Sequence, residues 1–128
     1  MEHYQVGSLP FSIDLSQPLY EQILDQIRSL VAKGELELGA KIPSVRELAQ
    51  SLKINPNTVM RAYQELERDG LTEKRRGQGT FITASADQVK GFREDLALQT
   101  IEEFLTKMSN LGYSRDEIVA FIKREGVR

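Results

Sequence analysis

From Pro18 onward, apolar residues recur at helical spacing. Leu19, Tyr20, Ile23, Ile27, Leu30 and Val31 follow one another at intervals that place them on one face, which predicts a helix opened by Pro18 at its first position and closed by Gly34. Glu35 to Pro43 lacks that period and reads as a loop, with Leu36, Leu38 and Ile42 expected to tuck beneath neighbouring helices. Ser44 with Glu47 three residues on is a capping box for a short second helix, whose inward residues are Val45, Leu48, Ala49 and Leu52. After a turn at Lys53-Ile54, Asn55 caps a third helix with Pro56 at its first position. There Val59, Ala62, Tyr63 and Leu66 face inward, Asn57, Arg61, Gln64 and Arg68 face outward, and Asp69-Gly70 ends the helix.

The pattern then changes period. Leu71 to Arg75 and Thr80 to Thr83 read as two short strands joined by Arg76-Gly77-Gln78-Gly79, a hairpin signal. The small, polar stretch from Ala84 to Gln88 reads as a boundary. Beyond it Leu98, Ile101, Leu105 and Met108 repeat with helical spacing, and Phe92, Leu96, Phe104 and Leu111 widen that stripe until Gly112. Ser114 with Glu117 opens a last helix with Ile118, Phe121 and Ile122 inward. Ahead of all this, residues 1–17 read as an extended arm: Leu9, Phe11, Ile13 and Leu15 alternate with Pro10, Ser12 and Asp14, and the proline argues for an edge position.

The expected fold is therefore mainly α with a small β-hairpin: an arm (1–17), a winged helix-turn-helix domain (18–83) and a two-helix tail (84–128). Composition narrows the chemistry. The chain of 128 residues has no cysteine and a single histidine, His3. That removes disulfides and thiolate chemistry and leaves almost nothing for a His-based metal site or a serine triad. Acidic residues are scattered at ion-pair spacings, such as Glu65 with Arg68 and Glu21 with Arg28, so an enzyme is disfavoured and no cofactor or metal is expected. No apolar run approaches a membrane span and no leader pattern opens the chain, which points to a cytoplasmic location.

Net charge is −2, yet Lys41 to Thr83 carries eight Lys or Arg against five Asp or Glu. The cations sit where a winged helix-turn-helix meets double-stranded DNA. Asn57, Thr58 and Arg61 occupy the outward start of the third helix and suit base edges or phosphates. That helix's N-terminal N–H groups are expected to be free for a phosphate. Lys74, Arg75 and Arg76 precede Gly77, Gln78 and Gly79 on a ribbon tip able to reach a phosphate or a minor groove. Taken singly, each feature has a plainer reading: a Lys-Arg-Arg run is usually a solvated face, and Ser44 or Asn55 can be a cap alone. Order and spacing together carry the argument.

Pro18-Leu19-Tyr20-Glu21-Gln22-Ile23, Leu38-Gly39-Ala40-Lys41-Ile42-Pro43-Ser44-Val45-Arg46-Glu47-Leu48-Ala49, Asn55-Pro56-Asn57-Thr58-Val59-Met60-Arg61-Ala62-Tyr63 and Arg76-Gly77-Gln78-Gly79-Thr80-Phe81-Ile82 resemble the N-terminal DNA-binding domain of the GntR family of bacterial regulators. The short tail and the Pro-Asn-Thr-Val start of the third helix resemble its YtrA branch. The resemblance implies that Arg46 of the second helix contacts DNA, that Asn57, Thr58 and Arg61 fall in the recognition helix, and that the wing-tip backbone at Gly77, Gln78 and Gly79 reaches the minor groove; Ser44, capping the second helix, is counted as a further candidate DNA contact. Two departures stand out. Many relatives carry glycine where Lys53 stands, so a left-handed backbone there would be strained. The basic residues that other branches carry near Pro56 and Met60 are absent, so base preference does not transfer.

The tail's stripe of Phe92, Leu96, Leu98, Ile101, Phe104, Leu105, Met108 and Phe121 is wider than one short final helix covers, so a second copy is expected to cover it. A homodimer would bind an inverted-repeat operator, and the family resemblance implies repression. An unidentified small-molecule effector is compatible with the tail only at an interface, because two helices cannot enclose a large pocket. The competing class is a winged-helix module that binds protein instead of DNA; the polar, basic outward face of the third helix disfavours it.

Overall fold

A computed structural model describes residues 1–125; the last three residues of the expected 84–128 tail lie outside the described residues. The elements run β1 (Glu2–Val6), β2 (Leu9–Ile13), α1 (Leu19–Ala32), β3 (Lys41–Ile42), α2 (Val45–Leu52), α3 (Pro56–Arg68), β4 (Thr72–Arg75), β5 (Gly79–Ile82), α4 (Ala86–Asn110) and α5 (Arg115–Arg124). They form two units, Met1–Arg93 and the residues from Glu94 on, with the division inside α4.

The first unit holds the core. Ile23, Leu24, Ile27 and Val31 of α1 meet Leu48, Ala49 and Leu52 of α2 and Val59, Ala62, Tyr63 and Leu66 of α3. Pro18 stands one place earlier than expected, as the N-cap with extended backbone, leaving Leu19 as the first helical residue. Leu36 and Ile42 are buried as expected, whereas Leu38 is 47% exposed. The loop before α2 also contains a strand. Lys41–Ile42 pairs antiparallel with Phe81–Thr80, so the wing is a three-stranded sheet of order β3-β5-β4 in place of a two-stranded hairpin. Two residues of β structure are too short for an alternation signal. They form because β5 offers an edge: Ile82 N–H donates to Ala40 O at 2.8 Å and Gly39 N–H to Ile82 O at 3.1 Å.

The segment expected as an extended arm is a hairpin. Val6 pairs with Leu9 across a Gly7-Ser8 turn, with Gly7 at φ 59°. Val6, Leu9, Phe11 and Ile13 join the core, which is why the arm is docked. The outward edge of β2 is closed by side chains of α1. Gln26 accepts from Ser12 N–H at 2.9 Å and donates to Ser12 O at 2.7 Å. Gln22 does the same for Asp14 at 2.7 and 2.8 Å. Pro10, the remaining edge position, has no N–H to satisfy.

One corner ties α1 to the end of α3. Arg28 grips Asp69 bidentately, Nε to Oδ2 at 2.9 Å and Nη2 to Oδ1 at 3.1 Å, in place of the expected partner Glu21. The Arg28 guanidinium also lies 5.6 Å from the centre of the Phe92 ring. Val89 and Phe92 pack on this core, so the expected boundary at Ala84 to Gln88 is the start of a helix and not a linker. Phe92, expected in the dimer stripe, belongs to the first unit instead.

In the second unit, Ser114 and Glu117 form the expected capping box of α5. Ile118 is buried, and Tyr113 meets Phe121 edge to face at 5.1 Å between ring centres. Ile122, expected inward, is exposed, as is Val119. No residue of α4 is buried. Leu98 is 64% and Ile101 53% exposed, with Phe104 and Leu111 also open.

Candidate nucleic-acid interface

The helix-turn-helix is built from local signals. Ser44 Oγ accepts from Glu47 N–H at 3.1 Å and Glu47 Oε1 accepts from Ser44 N–H at 3.2 Å. Those bonds to Ser44, the backbone one foremost, hold the Glu47 carboxyl below the ordinary glutamate range. The α2 terminus closes with Lys53 at φ 56°, ψ 48°, the left-handed geometry that glycine adopts freely. Ile54 N–H donates back to Ala49 O at 3.0 Å, which requires that bend. The chain then enters α3 with Asn55 as cap. Tyr63 locks the same region from beneath, its hydroxyl donating to Pro43 O at 2.7 Å, and burial pushes its ionisation up.

The start of α3 differs from expectation in one respect. Pro56 has no N–H, Asn57 N–H donates to Asn55 Oδ1 at 2.8 Å, and Thr58 N–H donates to Asn55 O at 3.0 Å. The first N–H groups are therefore occupied, and the helix terminus is not a free anion site. Asn57 and Arg61 are exposed and Thr58 is half-buried. With Met60, Gln64 and Arg68, Asn57 and Arg61 form one outward stripe opposite Val59, Ala62, Tyr63 and Leu66. Arg68 is engaged by Glu65 at 2.7 Å. The Arg61 guanidinium stacks over the Tyr20 ring of α1 at 4.1 Å, a cation–π contact that fixes the side chain before any ligand arrives. Arg46 is exposed on α2, near the other end of the turn.

On the wing, Arg75 pairs with Gly79 and the tip runs through Arg76, Gly77 and Gln78. Gln78 N–H donates to Arg75 O at 2.8 Å, and Gly77 and Gly79 have φ of 75° and 123°. The three cations of the ribbon separate. Lys74 and Arg76 are exposed. Arg75 lies flat on the Phe81 ring at 4.1 Å and 3.7 Å from Glu73, so it braces the ribbon. Sequence reasoning missed Lys41. Strand β3 brings it beside the wing: a Cβ at Gly79 would stand 2.8 Å from Lys41 Cε. Glycine is favoured at 79 by its φ, and the flexible Lys41 side chain passes over it. The contact of Arg61 with Tyr20 was also missed, because an aromatic residue on an apolar face carries no signal of its own.

Among the described residues no cluster of His, Asp and Glu could hold a metal ion, and no helix is long and apolar enough to cross a membrane.

The profile of "Bacterial regulatory proteins, gntR family" matches residues 19–82. The HTH-type transcriptional regulator YhcF of Bacillus subtilis (strain 168) is 45% identical over 108 residues, 84% of this chain and 89% of that protein. The HTH-type transcriptional repressor YtrA of the same organism is 54% identical over 71 residues, 56% of this chain and 55% of that protein. Among solved structures, a GntR family transcriptional regulator from Listeria monocytogenes is similar with a TM-score of 0.73 and 38% identity, over 88% of this chain and 98% of that one. The matched span contains the three-helix core, the outward stripe of α3 and the wing described above, and the chain belongs to the gntR family of bacterial regulatory proteins.

Proposed function

We propose that this chain is a non-enzymatic, sequence-specific DNA-binding transcriptional regulator that acts in the cytoplasm as a homodimeric repressor on an inverted-repeat operator. The observation that carries the DNA-binding reading is the outward stripe of α3. Asn57, Arg61 and Gln64 are exposed on a helix whose opposite face is fully committed to the core. Such a helix has the dimensions and side-chain chemistry of a major-groove reader. Arg46, Lys41, Lys74, Arg76 and the wing tip supply cations for phosphates, and Ser44 and Thr58 supply hydroxyls.

The dimer reading is supported by α4, whose apolar stripe of Leu96, Leu98, Ile101, Phe104, Leu105 and Met108 has no buried member. A stripe this long is unusual on a surface meant for water. Two-fold pairing through it would present two recognition helices to the two arms of a palindrome. Repression then follows from occupancy: a dimer seated over a promoter excludes polymerase. The similarity to a protein named a transcriptional repressor supports that sign.

The test is binding to a duplex selected from a random pool, read at several salt concentrations. Affinity should fall linearly with log salt, because each neutralised phosphate releases counterions. Arg46→Ala and Arg61→Ala should each cost roughly 1–3 kcal/mol per half-site with the circular dichroism spectrum unchanged. Unaltered affinity in both folded variants would remove α2 and α3 from the interface. Early elution from heparin with no selected sequence would favour the protein-binding module.

A further inference from the structure

The stripe that faces outward on α3 is polar except along one edge. Met60 is 42% exposed there, one turn from both Asn57 and Gln64. The other strongly exposed large apolar residues lie in the hairpin, the loops or the tail, so Met60 is the one on the helix-turn-helix. Nothing in the core requires it to point outward. Val59, Ala62, Tyr63 and Leu66 already fill the inner face at 2% exposure or less. An uncharged thioether at this position has one apolar counterpart on the floor of a major groove: the C5 methyl group of thymine, which sets T·A apart from the other base pairs. Methionine is suited to that contact, since its unbranched side chain adjusts to the methyl's position without a fixed rotamer.

We infer that Met60 is a specificity-determining residue, which reads a thymine methyl in each half-site while Asn57, Arg61 and Gln64 supply the polar contacts around it. This rests on the DNA-binding reading above and adds a base identity to it. The neighbours sharpen the assignment. Arg61 lies on the opposite edge of the stripe, stacked on Tyr20 toward α1, so it does not share Met60's edge. Pro56, one turn before Met60, adds no donor or acceptor there. A long cation at position 60 would instead seek a guanine edge or a phosphate, so the methionine also selects against those contacts.

The experiment uses the full chain and the best duplex that it selects from a random pool. Each thymine is replaced in turn by deoxyuridine, which removes only the methyl group. Wild-type protein should lose affinity at one thymine per half-site, by about fourfold for each methyl, the factor expected for one buried methyl-sized group. Met60→Ala should bind the parent duplex more weakly and show no further loss at that position. Met60→Leu, which keeps an apolar tip, should retain the sensitivity. A selected duplex bound tightly, with no thymine sensitive to the change, would overturn the assignment and leave DNA binding standing. So would full sensitivity in a folded Met60→Ala variant. A pool that yields no bound sequence would overturn the DNA-binding reading, and this assignment with it.

Discussion

Helices α3 and α4 both carry apolar residues at helical spacing, and those residues meet opposite fates. In α3 every residue of the apolar face is buried, and what remains outside is the mostly polar stripe proposed to meet DNA. In α4 no residue is buried, and the apolar face itself is outside. The difference lies in what surrounds them. α3 is enclosed by α1, α2 and the wing, and a partly buried ion pair, Arg28 with Asp69, fixes its end. The part of α4 beyond Arg93 has only the short α5, whose one buried residue is Ile118. A region that completes its own core displays polar chemistry; a region that does not displays the need for a second surface.

The largest effect that separates the two should come from matched truncations of apolar side chains. Leu66→Ala, at full burial, should cost about 2–5 kcal/mol of unfolding free energy, whereas Leu98→Ala should change the stability of a dilute monomer by less than about 0.5 kcal/mol. Denaturant titration at low concentration checks both, and equal costs would break the comparison. Next, a chain ending at Arg93 should keep its fold, because Val89 and Phe92 stay with the core. It should sediment as a monomer and bind a two-armed duplex roughly a hundredfold or more weakly, since linkage of two binding events is lost. Dimeric sedimentation by the truncated chain would move the interface out of the tail. The smallest effect is local. Lys53→Gly relieves a left-handed non-glycine, gaining about 1–2 kcal/mol, of which the added freedom of the unfolded chain takes back about 0.5–1. A net rise in thermal midpoint is expected, and a fall would mean that the lysine is not strained.

What the sequence revealed of this fold follows the range of the interactions involved. The capping boxes at Ser44 and Ser114, the Asn55 cap and the inward faces of α2 and α3 are written within a few residues of themselves, and each was legible. The left-handed backbone at Lys53 was expected only through the family resemblance, since relatives carry glycine there, and the φ of 56° agrees. Long-range facts were not. β3 exists only because β5 lies alongside. The first hairpin exists because Gln22 and Gln26 satisfy an edge that Pro10 alone seemed to leave plain. Arg28 finds Asp69, 41 residues away, and not its helical neighbour Glu21. Phe92 carried the same periodic signal as the residues after it, and only the core decided that it belonged elsewhere. At the interface, residue types gave the exposed cations, but pairing decided their use. Arg75 was diverted to Phe81 and Lys41 was brought in beside Gly79.

The most direct test of a dimeric, sequence-specific regulator is selection of bound duplexes from a random pool by the full chain at near-physiological salt. An inverted repeat is expected, with a thymine in each arm under α3. Enrichment of a single unpaired half-site would contradict the dimer, and no enrichment would contradict the DNA-binding function itself.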